Sequence, residues 1–117
     1  MLYNNLGGMG PDTEDPEELR FTAVGTTPSG TALDMVVTIA TGAYEPRNPG
    51  VNGAEAGTLN MFNINSGKGA VEVKMSFVDT TNGAPVVVEN FYLTVLDMDH
   101  DSRDRTSENI CVNNHEV

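Results

Sequence analysis

Apolar and polar residues alternate cleanly in two stretches of the chain. Over 31–41, Leu33, Met35, Val37 and Ile39 share one parity, and Asp34, Val36 and Thr38 share the other. Over 70–79, Val71, Val73, Met75 and Phe77 oppose Glu72, Lys74 and Ser76. Successive side chains of a strand point to opposite faces, so this period of two predicts half-buried antiparallel strands. A similar pattern over 18–24 sets Leu19, Phe21 and Ala23 on one face. Between the first two strands in chain order lies GTTPSG, 25–30, with Gly and Pro where a turn needs them, which predicts a hairpin. A strand over 58–64 is expected next, with Leu59, Met61 and Asn63 opposite Phe62 and Ile64. The run 86–96 is apolar on both parities, from Val86, Val87 and Val88 to Phe91, Leu93 and Leu96. It predicts a long strand, covered on both faces and interrupted by a bulge near Glu89 and Asn90. A short strand over 109–112, with Ile110 and Val112 together, completes the set.

About six strands at spacings of about ten residues, with turn signals between them, predict an all-β fold. The arrangement expected is an antiparallel β-sandwich or jelly-roll-like fold, incomplete if further strands follow. The strongest short turn signal is Asn82-Gly83. Residues 42–57 carry Pro and Gly without periodicity, and read as a crossover between sheets. Tyr44, Arg47, Asn48 and Asn52 are the residues of this connection that could meet a ligand. The organisation read from the chain is an irregular acidic leader over 1–17, the β-domain over 18–113 and a tail over 114–117.

Composition narrows the function classes. Seventeen acidic residues against six basic ones, among 117, give a net charge of −11. Such a surface repels phosphate backbones, which argues against nucleic-acid binding. It equally disfavours an anionic bilayer unless a cation bridges the two. No stretch is apolar for long enough to insert into a membrane directly. The single cysteine, Cys111, allows no internal disulfide and reads as a small buried hydrophobe. The opening LYNNLGG lacks the basic and apolar regions of a signal peptide, so a protein made without a presequence, a mature form or an excised fragment is expected.

The candidate chemistry lies where the long apolar run ends. Asp97, Asp99 and Asp101 fall at alternate positions, and Glu108 precedes the last short strand. Carboxylates of equal parity repel unless a divalent cation sits among them, and oxygen donors without thiolate suit calcium. The metal ligands expected are therefore Asp97, Asp99, Asp101 and Glu108. The EF-hand pattern is not met, because the Gly at its sixth position is missing. The alternative is a solvated hairpin tip in which Asp101, Arg103, Asp104 and Arg105 pair with one another. His100 and His115 lack zinc spacing, and no phosphate loop or nucleophile elbow is present.

Two stretches carry a family resemblance: Asn4-Asn5-Leu6-Gly7-Gly8-Met9-Gly10-Pro11-Asp12 followed by Leu19-Arg20-Phe21, and Phe91-Tyr92-Leu93-Thr94-Val95-Leu96-Asp97-Met98-Asp99. Together they resemble an uncharacterised β-sandwich family of marine microalgae. The second, with Glu108-Asn109-Ile110-Cys111-Val112, is also similar to bacterial surface β-domains in which a strand ends in Asp-x-Asp. The resemblance implies a jelly-roll-like fold with a structural or binding role. The function expected is a non-enzymatic, calcium-dependent binding or adhesion module with a protein or glycan partner, placed outside the cell or in an organelle lumen. The alternatives are an accessory subunit of a larger assembly, such as an algal photosynthetic complex in the chloroplast lumen, and a glycan hydrolase with Asp or Glu catalysts.

Overall fold

The computed structural model describes residues 2–55, 59–63 and 69–94. These residues are mostly antiparallel β-structure. A five-stranded sheet is built from β1 (Tyr3–Asn4), β2 (Leu19–Thr26), β3 (Ala32–Thr41), β6 (Glu72–Asp79) and β7 (Pro85–Val86), adjacent in that order. A separate two-stranded sheet pairs β4 (Gly53–Glu55) with β5 (Leu59–Met61). The sandwich or jelly-roll expectation is met only at the level of an all-β, antiparallel fold. Contacts divide the chain into Met1–Val86 and Val87–Val117, and every strand described belongs to the first unit.

The alternation in the sequence becomes the two faces of the larger sheet. Leu19, Val37 and Met75 are aligned across β2, β3 and β6, as are Phe21, Met35 and Phe77. Leu19 and Val37 are fully buried, and with Leu6, Phe21 and Tyr44 they form the core on this face. Met35, Ile39, Phe62, Val71 and Met75 pack against that core. The opposite face carries Tyr3, Arg20, Val36 and Ser76 in one row and Thr38 and Lys74 in another. The β2–β3 turn closes with reciprocal bonds between Thr27 and the Gly30–Thr31 backbone, and Gly30 takes a φ of 93° that a side chain disfavours.

Three expectations are corrected. First, the stretch read as an irregular leader contributes to the sheet. Tyr3 and Asn4 pair with Arg20 and Leu19, and Leu6, in a 3-10 turn over Leu6–Gly8, is fully buried in the core. Asp12, Glu14, Asp15 and Glu17 do remain exposed.

Second, Ala23 does not share the face of Leu19 and Phe21. The register shifts between Phe21 and Gly25, and Ala23 sits in the bulge, exposed, with a φ of 53°. The connection after β3, read as a crossover between sheets, does lead from the larger sheet to the smaller one. It builds a 3-10 turn (Pro49–Val51) and β4, and after β5 the chain returns beside β3 as β6, so the smaller sheet is an excursion between hydrogen-bonded neighbours.

Third, the long strand expected over 86–96 is only Pro85–Val86 within the described residues; residues 87–94 form no strand. With apolar side chains on both parities, no single face selects a pairing register for that run. The strand expected over 109–112, Cys111 and both histidines lie outside the described residues.

Candidate functional site

Two polar clusters and one apolar segment stand out once the sheet is in place. The first cluster centres on Asp34, a carboxylate in an otherwise apolar strand. Its side chain is 2% exposed. Arg20 reaches its Oδ2 with both Nε and Nη2 at 3.0 Å. The Thr80 hydroxyl donates to Oδ1 at 2.6 Å and the Ala23 N–H donates to the same oxygen at 3.0 Å. Burial alone pushes this carboxyl upward, but the donors from Thr80, Ala23 and Arg20 outweigh it and hold Asp34 below the usual carboxylate range. A carboxylate so occupied has no free lone pair directed at a substrate or metal. Its chemistry is to tie the β2 bulge, the β6–β7 turn and Arg20 together. Beside it, Tyr3 donates to Glu18, and burial followed by that carboxylate raises the Tyr3 hydroxyl pKa.

The second cluster joins the N-terminal stretch to the excursion. Asn4 donates its side-chain amide to the carbonyls of Pro49 (2.9 Å) and Asn52 (3.1 Å). Asn52 in turn donates to the Tyr44 hydroxyl at 2.6 Å and accepts from the Asn63 N–H at 2.6 Å. The Tyr44 hydroxyl donates to the Asn63 carbonyl at 3.0 Å. Asn4 also exchanges backbone bonds with Asp12, through the carboxylate at 2.7 Å and the N–H at 3.2 Å. Asn5 holds Gly10 N–H and the Asp15 carbonyl. Asn4, Asn5 and Asn52 are all buried, so each amide stands in for backbone pairing that these irregular segments lack.

Of the connection residues read as ligand contacts, Tyr44 and Asn52 are therefore turned inward. Asn48 caps the Pro49–Val51 turn by accepting from Gly50 N–H, and Arg47 is exposed. The expected metal ligands Asp97, Asp99, Asp101 and Glu108 lie outside the described residues. Among the described residues no three His, Cys, Asp or Glu side chains are grouped to hold a metal ion. No helix among them is long and apolar enough to cross a membrane.

The apolar segment follows β7. Val87 is 80% exposed, Phe91 54%, Tyr92 101% and Leu93 52%. These are large side chains within seven residues of sequence, in a chain of net charge −11, whereas the other exposed apolar residues, Leu2, Met9, Val24, Val51 and Val73, are scattered along the chain. A cluster of exposed apolar groups of this kind is characteristic of surfaces that meet another molecule. Sequence reasoning missed Asp34, Arg20 and Asn4. Asp34 had a visible signal, a lone charge inside the alternating strand, and the hairpin would have brought Arg20 beside it. Asn4 had none, because nothing local marks an amide for burial.

No protein-family model, curated protein or solved structure matches the chain.

Proposed function

We propose that the protein is a non-enzymatic, sandwich-like β-module that binds a protein partner through residues 87–93. The observation that carries this reading is the exposure of Val87, Phe91, Tyr92 and Leu93. Aromatic side chains offer large contact area at small entropic cost, which suits them to interfaces. The polar clusters of the first unit serve to hold its shape, since their donors and acceptors, the buried Asn4 Oδ1 excepted, are directed at one another.

Calcium on Asp97, Asp99, Asp101 and Glu108 would order the chain that follows the binding segment. The donor set supports this: carboxylate oxygens at alternate positions with no thiolate among them. The test is thermal melting of the full chain with calcium and with chelator. Saturating calcium at about a hundred times its Kd should raise Tm by about 10 °C. The double variant Asp97→Asn, Asp99→Asn should lose that rise, and an unchanged Tm on chelation of the unaltered protein would refute the cation site.

The same exposed segment favours a second reading, an accessory subunit seated in a larger assembly. The double variant Phe91→Ser, Tyr92→Ser separates the two. Binding of a single soluble partner supports the module. Poor solubility of the unaltered chain, relieved by the substitutions, supports the subunit.

A further inference from the structure

The chain contains Asn-Gly at 52–53 and at 82–83, and the fold treats the two differently. Asn-Gly is the pair most prone to spontaneous deamidation, because glycine leaves the backbone nitrogen that follows the asparagine unshielded. We propose that Asn82 is a site of spontaneous modification, converted through a succinimide to isoaspartate and aspartate, while Asn52 is protected.

The β6–β7 turn carries the conditions for reaction. Asn82 and Gly83 are both exposed, and a Cβ built at Gly83 would meet nothing within 4 Å. The Asn82 side chain is folded back along the main chain, its Oδ1 accepting from the Ala84 N–H at 2.8 Å. That bond polarises the amide carbonyl and offers a donor to the oxyanion that develops on attack. One bond opposes the reaction: Gly83 N–H donates to the Asp79 carbonyl at 2.8 Å. It lies in a solvent-exposed turn, where local opening costs little.

The steps balance with solvent alone. Hydroxide removes the Gly83 N–H proton, and the nitrogen forms a bond to Asn82 Cγ. The bond from Cγ to Nδ2 then breaks, and ammonia leaves with a proton from water. A second water opens the imide at either carbonyl. One water is consumed and one ammonia released, with no oxidation or reduction. Each event adds a negative charge, and the isoaspartyl product adds a methylene to the main chain of the turn that positions β7.

Asn52 is held against the same chemistry. It is 4% exposed, its Nδ2 donates to Tyr44 at 2.6 Å and its Oδ1 accepts from Asn63 at 2.6 Å. The leaving amide and the carbonyl are thus both fixed, and Gly53 is engaged in β4 with a φ of 114°.

The experiment incubates the full chain in mildly alkaline buffer, native and in denaturant. Peptide mapping by mass spectrometry, with enzymatic methylation to detect isoaspartate, follows each asparagine. In the native chain Asn82 should convert severalfold faster than Asn52, and denaturant should bring the two rates together. Asn82→Gln should remove the isoaspartate signal without lowering Tm. Equal native rates would overturn the inference, as would an Asn82 that converts only in denaturant.

Discussion

Asp34 shows how a single buried carboxylate can govern a bulge, a turn and a neighbouring strand at once. Asp34→Ala removes the acceptor for Arg20, Ala23 and Thr80 together, and should cost about 2–4 kcal/mol in chemical denaturation. The pH dependence follows from the depressed pKa of Asp34 in the folded state. A group lowered on folding contributes stability that is present above its unfolded pKa and is lost as pH falls through the folded value. Stability from this site should therefore be flat near neutrality and decline through the acidic range, and Asp34→Asn should flatten that decline. Ala23, held at a φ of 53° by the same carboxylate, gives a second residue-scale test. Ala23→Gly relieves the left-handed strain and should stabilise by about 0.5 kcal/mol, whereas Ala23→Val should destabilise. Equal melting of the two variants would mean that the bulge adopts another backbone conformation in solution.

At the scale of elements, the telling case is the first 3-10 turn and the strand before it. Leu6 is fully buried and packs with Leu19, Phe21, Val37 and Tyr44, so Leu6→Ala should cost about 2–5 kcal/mol, as much as Leu19→Ala. If urea midpoints show Leu6→Ala to be nearly neutral, the N-terminal segment is not part of the cooperative fold. Phe77 makes a useful contrast: it is aligned with Phe21 and Met35 but only half-buried, so Phe77→Ala should fall below the 3–5 kcal/mol typical of a fully buried Phe. What was legible in the sequence follows from the same physics. The β2–β3 hairpin and β6 were readable because apolar and polar residues alternate along them with the period of two that a strand imposes, although β3 is buried on both parities from Leu33 to Val37 and β6 is at most half-buried. The N-terminal stretch was not, because it enters the core with a single leucine and buries the Asn4 amide by hydrogen bonding to segments more than forty residues away. The run after Val86 misled for the opposite reason, since hydrophobicity without a preferred parity signals burial but not pairing. The acidic residues from Asp97 to Glu108 were legible as hard oxygen donors, but the partners that would close a site come from tertiary placement.

For the whole molecule, the division at Val86 makes a separable prediction. The unit Met1–Val86 contains every residue of the core cluster and every strand described. It also keeps both polar clusters, from Asn4 with Asn52 to Asp34 with Thr80. A fragment of that length can sustain a cooperative fold when its core is continuous, although its margin of stability is small. The fragment should therefore melt in a single transition and give dispersed amide resonances. It lacks Val87, Phe91, Tyr92 and Leu93, so it should be more soluble than the full chain and should not compete for a partner of residues 87–93. It also lacks Asp97, Asp99, Asp101 and Glu108, so its melting should be indifferent to calcium while that of the full chain responds. The two measurements divide the reading cleanly. A fragment that melts without cooperativity places essential core contacts beyond Val86, whereas a folded fragment that still responds to calcium moves the cation away from the aspartates and onto the acidic residues between Asp12 and Glu18.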